Sequence, residues 1–261
     1  MRAAVLGSPI AHSLSPLLHR AAYTALDLPW RYDAVEVGAT DLPGFLEGLD
    51  QQWVGLSLTM PLKQTVLPLL GSRSPLVELT GAANTVLLRD GRHGENTDVA
   101  GMVAALVEVG VGLPARAVVL GAGATAASAV VALSELGAGE VRVLARSPAK
   151  AAPLLELAER LGLPLTVDVL DVAAGLEADV VISTTPAGAA LPLTVGRHPP
   201  VLLDVVYAPW PTPLAAAHLA AGSTVVPGSS MLLHQAAAQV ELMTGRAAPL
   251  DAMREALTSR G

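Results

Sequence analysis

The chain has 261 residues, a formal net charge of −7 at pH 7 and no cysteine. The negative charge argues against a nucleic-acid surface, while the absence of cysteine excludes disulfides and thiolate metal sites and fits a cytoplasmic location. The length and the apolar, aromatic-poor composition favour an α/β protein of two domains whose fold depends on packing.

A short strand pattern, Arg2 to Leu6, opens the chain and is followed by Ser15 and Pro16, a helix-start signature. The predicted helix runs to about Leu26. Ser13 and Ser15 would then lie beside unpaired backbone N–H groups at the helix N-terminus, which favours binding of a carboxylate or phosphate. An equally good interpretation makes Ser15 only the N-cap.

Lys63 is one of only two lysines in a chain that otherwise uses arginine for positive charge. A buried strand is predicted over Val54 to Met60, and Pro61 fits the first position of a helix over Leu62 to Leu70. Lys63 would project from this strand-to-helix turn, where the helix dipole disfavours the ammonium. We therefore expect a lysine that exchanges protons near neutral pH, in contrast to a solvated surface lysine.

The segment GAANTVLLRDGRHGENTD predicts a hairpin with its tight turn at Asp90 and Gly91. Each arm carries an Asn-Thr pair, and Asp98 precedes a helix predicted over Val99 to Val109. Taken alone, the asparagines fit turn chemistry and Asp98 fits an N-cap. Strand ends and helix starts are, however, where α/β proteins gather ligand-binding groups, so we group these polar residues as one site. The group comprises Ser13, Ser15, Lys63, Asn84 and Asp98.

The pattern Gly121-x-Gly123-x-x-Ala126 follows a strand predicted over Arg116 to Leu120 and opens a helix. Such glycines let the backbone approach a pyrophosphate at the helix N-terminus, so the arrangement predicts a dinucleotide site. The glycines also divide the uncharged stretch 117–134, so that we expect a strand and a helix there instead of a membrane span.

The residues after the next strand, predicted over Val141 to Ala145, indicate which dinucleotide is bound. An NAD site typically has an acidic residue there, but this chain has Arg146, Ser147 and Lys150. Two cations and a hydroxyl favour the 2′-phosphate of NADP, although a first-turn lysine could also be simply solvated.

Strands and helices alternate beyond this point, and the pattern predicts a single doubly wound sheet that includes a short helix after Asp171. The loop after the strand 179–183 starts at Thr184, beside which a nicotinamide or ribose could pass. Tyr207 follows another strand and could reach a polar ligand or only cover the sheet. His198 and His218 are interpreted as surface residues. His12 and His19 lack metal-ligand spacing, so we predict packing or hydrogen-bonding roles and no metal site.

Several segments occur in the order typical of one family, so the chain resembles the shikimate dehydrogenases over nearly its full length. These segments are HSLSPLLH, GLSLTMPLK, GAANTV, ENTDVAG, GAGATAAS, ARSPAK, DVVYAPWPTPL and GSSMLLHQ. The resemblance implies NADPH-dependent reduction of 3-dehydroshikimate to shikimate, in aromatic amino acid biosynthesis. It also implies an N-terminal α/β substrate domain, residues 1–100 rejoined by about 235–261, and a Rossmann-type doubly wound NADP domain, residues 101–234.

The resemblance further implies roles for individual residues. Lys63 would be the general acid/base and Asp98 its hydrogen-bonding partner. Ser13 and Ser15 would hold the ring carboxylate. Around the substrate hydroxyls would lie Thr59, Lys63, Asn84, Asp98, Tyr207 and Gln235. The cofactor site would be lined by Gly121, Ala122, Gly123, Ala124, Thr125, Arg146, Ser147, Lys150, Thr184, Val205 and Gly228.

This sequence departs from the family pattern at four positions. Ser57 replaces a usual asparagine, Ala124 a usual glycine, Ala145 an asparagine and Met243 a tryptophan. The departure at Ser57 leaves open a related dehydrogenase that uses quinate or an aminoshikimate, with NAD.

Two other function classes fit the residues less well. A non-catalytic shikimate or NADP sensor would not need both Lys63 and Asp98, and a folate-linked dehydrogenase would not explain the paired serines. We therefore expect an oxidoreductase that acts on a small molecule, is a monomer or homodimer, and binds neither nucleic acid nor membrane.

Overall fold

The computed structural model describes residues 1–171, 176–189, 191, 195 and 200–259. The chain forms two compact units. Unit 1 comprises Met1–Gly101 and Leu232–Gly261, and unit 2 comprises Met102–Met231. The short helix predicted after Asp171 and the surface position predicted for His198 lie outside the described residues.

Helices and strands alternate along most of the chain. The strands are β1 (Arg2–Gly7), β2 (Arg31–Glu36), β3 (Trp53–Leu58), β4 (Ser72–Arg73), β5 (Thr85–Leu87), β6 (His93–Glu95), β7 (Arg116–Leu120), β8 (Glu140–Ala145), β9 (Leu165–Val169), β10 (Val180–Ser183), β11 (Val201–Asp204) and β12 (Val225–Pro227). The α-helices are α1 (Ser15–Ala25), α2 (Leu42–Glu47), α3 (Leu62–Thr65), α4 (Pro75–Thr80), α5 (Asp98–Val107), α6 (Ala124–Glu135), α7 (Ala152–Leu161), α8 (Pro213–Ala220), α9 (Gly228–Thr244) and α10 (Leu250–Thr258). Short 3₁₀ helices cover Leu67–Leu69 and Pro148–Ala151.

Unit 1 contains a mixed sheet with the strand order β2-β1-β3-β5-β6-β4. Strands β2, β1 and β3 are parallel, whereas β5 is antiparallel to both β3 and β6. Alternate residues of β1 enter different apolar clusters, Ala4 and Leu6 in one and Ala3 and Val5 in the other. Because successive side chains of a strand point to opposite faces, both faces of this sheet are buried.

The β3–β5 pairing joins two polar segments of unit 1. Ser57 of β3 lies opposite Thr85 of β5 in the antiparallel register. Lys63 follows β3 in the chain and Asn84 immediately precedes β5, so this pairing brings the two segments together. The main-chain N–H of Leu58 donates to the carbonyl oxygen of Asn84 at 2.7 Å, which fixes the relation further.

Unit 2 contains a sheet with the strand order β12-β11-β10-β7-β8-β9, in which every described pairing is parallel. This is the doubly wound dinucleotide-binding order, and it confirms the fold class predicted from the sequence. In such a sheet all carboxyl ends lie at one edge, where ligands bind at the point of reversal, here between β7 and β10.

Two sequence predictions about local structure are wrong. The helix predicted over Leu62 to Leu70 divides into α3 and a 3₁₀ helix, because Pro68 cannot donate the main-chain hydrogen bond that a continuous helix needs there. His218 is fully buried, with its Nδ1 atom 3.2 Å from the Ser223 hydroxyl. Burial lowers the pKa of His218.

The hairpin is confirmed with a longer connection than predicted. Strands β5 and β6 pair antiparallel with Leu87 opposite His93, so residues 88–92 form the loop and Gly91 takes a positive φ of 103°. The stretch 117–134 divides into β7 and α6, and no helix in the described ranges is long and apolar enough to cross a membrane.

Candidate active site

Among the described residues of unit 1, the shortest ion pair joins Lys63 and Asp98. The Nζ atom of Lys63 donates to Oδ2 of Asp98 at 2.5 Å, and the side chains are 15% and 5% exposed, respectively. The two residues are brought together from the helix after β3 and from the first position of α5. A lysine ammonium has three N–H donors, and among the described residues Lys63 contacts no acceptor besides Asp98. Two donors are therefore left for a ligand.

The helix that carries Lys63 is shorter than predicted. Helix α3 has only four residues, and such a short helix carries little dipole. The main electrostatic partner of the ammonium is instead the carboxylate of Asp98. Asp98 is likewise not just an N-cap, because both of its carboxylate oxygens bind side chains of neighbouring segments.

Asn84 holds the carboxylate of Asp98 from the other side. Its Nδ2 group donates to Oδ1 of Asp98 at 2.8 Å, to Oγ1 of Thr97 at 2.9 Å and to Oε1 of Gln235 at 3.3 Å. Its Oδ1 atom accepts from the main-chain N–H of Thr97 at 2.9 Å and from the hydroxyl of Thr85 at 2.8 Å. A carboxylate can only accept, so these contacts also fix which way the amide faces. Asn84 is thus a structural centre of the site and not merely a turn residue.

Asn96 anchors the segment that carries Asp98. Its Oδ1 atom accepts from the N–H of Asp98 at 3.0 Å, and its Nδ2 group donates to the Thr80 hydroxyl at 3.0 Å and to the carbonyl oxygen of Ala82 at 3.1 Å. Asn96 and Thr97 were not among the predicted site residues, although the repeated Asn-Thr pair marked them. Asn96 holds the backbone of Asp98, and Thr97 holds the side chain of Asn84.

Gln235, which had no decisive signal of its own in the sequence, belongs to the same group. Its Oε1 atom accepts from Asn84 and its Nε2 group donates to the carbonyl oxygen of Leu232 at 3.0 Å. The structure therefore brings together four predicted residues through direct hydrogen bonds, namely Lys63, Asn84, Asp98 and Gln235. These four residues form the Lys63 group.

The paired serines form a second part of unit 1. Helix α1 starts at Ser15, and its N-cap, Leu14, offers no side-chain hydrogen bond. Ser13 supplies one instead, because its hydroxyl oxygen accepts from the N–H of Ser15 at 3.3 Å. Ser15 is thus the first helical residue and not the N-cap. Thr59 follows β3 and is half-buried. No described hydrogen bond joins Ser13, Ser15 or Thr59 to the Lys63 group.

The glycine turn of unit 2 fits a dinucleotide. Gly121 has a φ of +107°, and a Cβ atom there would lie 2.7 Å from Oγ1 of Thr184, so only glycine suits the position. Gly123 is the N-cap of α6 and supplies no side chain to cap it, while a Cβ there would meet no atom within 4 Å. The N-terminus of a twelve-residue helix, with Ala122, Ala124 and Thr125 around it, is thus open to an anion.

The cations predicted for the 2′-phosphate follow β8. Arg146, Ser147 and Lys150 are all exposed. Within the part of the chain that the structure describes, Arg146 forms no ion pair, so its guanidinium is available to an anionic ligand.

Two further predicted cofactor positions are tightly packed at the carboxyl edge of the sheet. A Cβ atom at Gly228 would lie 2.2 Å from the carbonyl oxygen of Val205. Thr184 donates its hydroxyl to the carbonyl oxygen of Leu120 at 2.8 Å. The backbone next to Gly121 and Val205 is therefore held in place by packing and hydrogen bonds.

Asp204 was not predicted but organises the segment that carries Tyr207. Its carboxylate accepts from the hydroxyl of Thr212 at 2.6 Å and from the N–H of Val206 at 3.2 Å, so it ties both ends of that segment. Burial raises the pKa of Asp204. Its position at the end of β11 was the signal that could have identified it. Among the described residues no group of three or more metal-ligating side chains occurs.

Comparison with known proteins relates this chain to one group. Residues 5–86 match the model of the shikimate dehydrogenase substrate binding domain, and residues 228–258 match that of the shikimate 5′-dehydrogenase C-terminal domain. A shikimate dehydrogenase (NADP(+)) from Natronomonas pharaonis is 37% identical over 98% of this chain and 97% of its own length.

Solved structures give the same relation. The crystal structure of Mycobacterium tuberculosis shikimate dehydrogenase is 44% identical, with a TM-score of 0.88 over 100% of this chain and 99% of that one. The Thermus thermophilus shikimate 5-dehydrogenase solved in complex with NADP(H) and shikimate is 35% identical, with a TM-score of 0.86 over 99% of both chains.

Proposed function

The chain belongs to the shikimate dehydrogenase family. We propose that it catalyses the reversible, NADPH-dependent reduction of 3-dehydroshikimate to shikimate in aromatic amino acid biosynthesis. The observation that carries the proposal is the buried Lys63–Asp98 pair held by Asn84. Reduction of a ketone needs a hydride donor and a proton donor, and this pair supplies the second.

Lys63 acts as the general acid in the direction of reduction. Of its three N–H donors one is engaged by Asp98, and another is directed to the substrate oxygen, to which it transfers a proton as the alkoxide develops. Asp98 orients the ammonium, and Asn84 keeps Asp98 in place. In the direction of oxidation the same lysine, now as the neutral amine, removes the hydroxyl proton.

The other predicted residues of unit 1 bind the substrate without taking part in proton transfer. Ser13 and Ser15, at the N-terminus of α1, hold the ring carboxylate, because a helix N-terminus with two hydroxyls favours a negative group. The ring hydroxyls are contacted by Thr59, Asn84, Asp98 and Gln235. Residues 1–100 and about 235–261 are thus assigned to the substrate domain.

When bound, NADPH would supply the hydride for the reduction, and NADP⁺ would accept it in the reverse reaction. Residues 101–234 are assigned to its binding. The open N-terminus of α6 and the glycines before it suit the pyrophosphate, and the exposed cations after β8 suit the 2′-phosphate. The cofactor residues are Gly121, Ala122, Gly123, Ala124, Thr125, Arg146, Ser147, Lys150, Thr184, Val205 and Gly228.

The chain acts in the cytoplasm as a monomer or homodimer and has no nucleic-acid partner. The absence of cysteine fits this location, and the net charge of −7 argues against a nucleic-acid partner.

The test is the absorbance of NADPH formed from shikimate and NADP by the purified protein, run beside NAD and beside quinate. Turnover chiefly with shikimate and NADP is the expected result. Turnover chiefly with quinate or NAD would assign the chain to the related dehydrogenases, and binding of shikimate without any turnover would assign it to the sensors.

Two variants test the role of the lysine. Lys63→Ala should lower kcat by roughly a hundred- to ten-thousand-fold, the range for one general acid, with much smaller changes in substrate affinity. Lys63→Arg is the matched control, because it keeps the positive charge but cannot release a proton. An arginine variant with wild-type kcat would contradict proton transfer by Lys63.

A further inference from the structure

A second buried polar network lies behind the Lys63 group and is organised by Gln239, a residue of α9 that is 1% exposed. Its Oε1 atom accepts from the hydroxyl of Ser57 at 2.7 Å and lies 3.2 Å from Nε2 of His19. Its Nε2 group donates to Oγ1 of Thr85 at 2.9 Å and to the carbonyl oxygen of Asn84 at 3.3 Å. One carboxamide therefore contacts both members of the Ser57–Thr85 cross-strand pair.

The hydrogen bonds of this network all run in one direction. Ser57 donates to Gln239, and Gln239 donates to Thr85. Thr85 donates to Oδ1 of Asn84, and Asn84 donates to the carboxylate of Asp98. Each hydroxyl or amide in the series accepts at one end and donates at the other. A continuous path of fixed polarity therefore leads from the interior of unit 1 to the carboxylate that holds Lys63.

His19 sets the start of this path. It is fully buried and stacks on the ring of Tyr32 with centroids 3.9 Å apart. Burial lowers the pKa of His19 to about 3, so the ring is neutral at ordinary pH. A neutral ring donates from only one nitrogen, and the Gln239 oxygen can only accept, so Nε2 carries the proton. Nδ1 is then unprotonated and can only accept, and it has no hydrogen-bond partner among the described residues.

Tyr32 completes the arrangement from the edge strand. Its hydroxyl donates to Oγ of Ser57 at 2.6 Å. Because Ser57 accepts from Tyr32, its own hydroxyl proton is free to be donated to Gln239. Here a serine on β3 is combined with a carboxamide supplied by α9.

We propose that Gln239, oriented by His19 and Ser57, is a positioning residue that fixes the Asn84 amide and, through it, the Asp98–Lys63 pair. This inference rests on the proposed function of that pair. Gln239 touches neither Lys63 nor Asp98, so it acts on the reaction only through Thr85 and Asn84. Loss of its carboxamide removes donors and acceptors from buried partners, which then rearrange and displace the Asn84 amide.

The first experiment replaces Gln239 with methionine, which has a similar length and no amide. The kcat for shikimate oxidation should fall roughly 10- to 100-fold, as for a displacement of about 1 Å in a reacting group, while KM for NADP stays within about twofold. The matched control is Val240→Ala on the same helix, a fully buried apolar residue outside the network. It should lower Tm without lowering kcat at 25 °C. Equal kcat values for the two variants would overturn the proposal.

The second experiment tests whether Gln239 acts through Thr85. Thr85→Val keeps the shape of the side chain but removes the hydroxyl link to Asn84. The Gln239→Met/Thr85→Val double variant should have a kcat within about threefold of the slower single variant, since both changes break one path. Multiplicative losses would mean that the residues act independently, contrary to the proposal.

A spectroscopic measurement separates this inference from the proposed function. In ¹⁵N-labelled wild type, His19 should show the neutral ring protonated at Nε2. The side-chain NH₂ signals of Asn84 should shift in Gln239→Met and not in Val240→Ala. If the wild type has no dehydrogenase activity but the Asn84 signals shift as described, the function fails and the positioning role stands. If they do not shift, the positioning role fails, whatever the activity.

Discussion

Asp98→Asn tests how much the buried Lys63–Asp98 ion pair contributes to the stability of unit 1. At 2.5 Å the attraction between the two charges is about 6–7 kcal/mol for an effective dielectric constant of about 20, before the cost of desolvating both groups. Removing one charge of a buried pair usually costs ~3–5 kcal/mol, because the other charge is left uncompensated. Asparagine still offers one oxygen to accept a hydrogen bond, so we expect the free energy of unfolding to fall by about 3 kcal/mol, the lower end of that range.

The matched control is Asp33→Asn, which makes the same chemical change in an exposed pair of the same unit. Arg20 and Asp33 are 2.9 Å apart with side chains 60% and 48% exposed, and such pairs contribute about 1 kcal/mol or less. Urea unfolding can be followed by tryptophan fluorescence in a Trp210→Phe background, so that Trp30 and Trp53 of unit 1 report alone.

The two variants must differ for the reasoning to hold. Equal destabilisation by Asp98→Asn and Asp33→Asn would show that burial of the Lys63–Asp98 pair does not strengthen it. The proposed mechanism also requires kcat to fall at least about a hundredfold in Asp98→Asn and to stay unchanged in Asp33→Asn.

Three further results are expected. Arg146→Ala should raise KM for NADPH about tenfold or more with little change for NADH, and equal increases in initial-rate measurements would refute a 2′-phosphate contact. Burial lowers the pKa of His19 from 6.5 to about 3, so its contribution to stability is complete above pH 6.5 and is lost as the pH falls toward 3. The free energy of unfolding of wild type should therefore fall relative to that of His19→Gln by up to ~1.4 kcal/mol per pH unit between pH 6.5 and 4, and parallel urea-unfolding curves would contradict this. Gly228→Ala should lower the free energy of unfolding by ~1–3 kcal/mol, because the new methyl group meets the carbonyl oxygen of Val205. Gly44→Ala, in open space within α2, should raise the free energy of unfolding by ~0.5–1 kcal/mol. Tm values that shift in the same direction for both variants would refute the packing argument.

Local signals predicted most of the helices and strands because the deciding interactions lie within a few residues. Ser15 and Pro16 marked the start of α1, and the same signature at Ser74 and Pro75 would have identified α4, where the Ser74 hydroxyl accepts from the N–H of Val77. The end of α3 was missed because an apolar pattern continued through Pro68.

The polar interior was less predictable because its partners are distant in sequence. Asp98 and Lys63 carried local signals, but Gln239 is 182 residues from Ser57 and 154 from Thr85. The burial of His218 depends on packing in unit 2, which no local pattern encodes. One sequence supplies residue types and periodicity, whereas the contacts of a buried carboxamide depend on the tertiary fold.

The discontinuity of unit 1 has a consequence for its biosynthesis. A ribosome makes Met1–Gly101 before the contiguous unit 2, and Leu232–Gly261 after it. Domains fold as units as they emerge, so unit 2 can be complete while Ser57 and Thr85 still await Gln239. A chain released prematurely after Met231 therefore keeps a complete unit 2 but leaves the first hundred residues without the C-terminal helices that finish unit 1, and so open to chaperones and proteases.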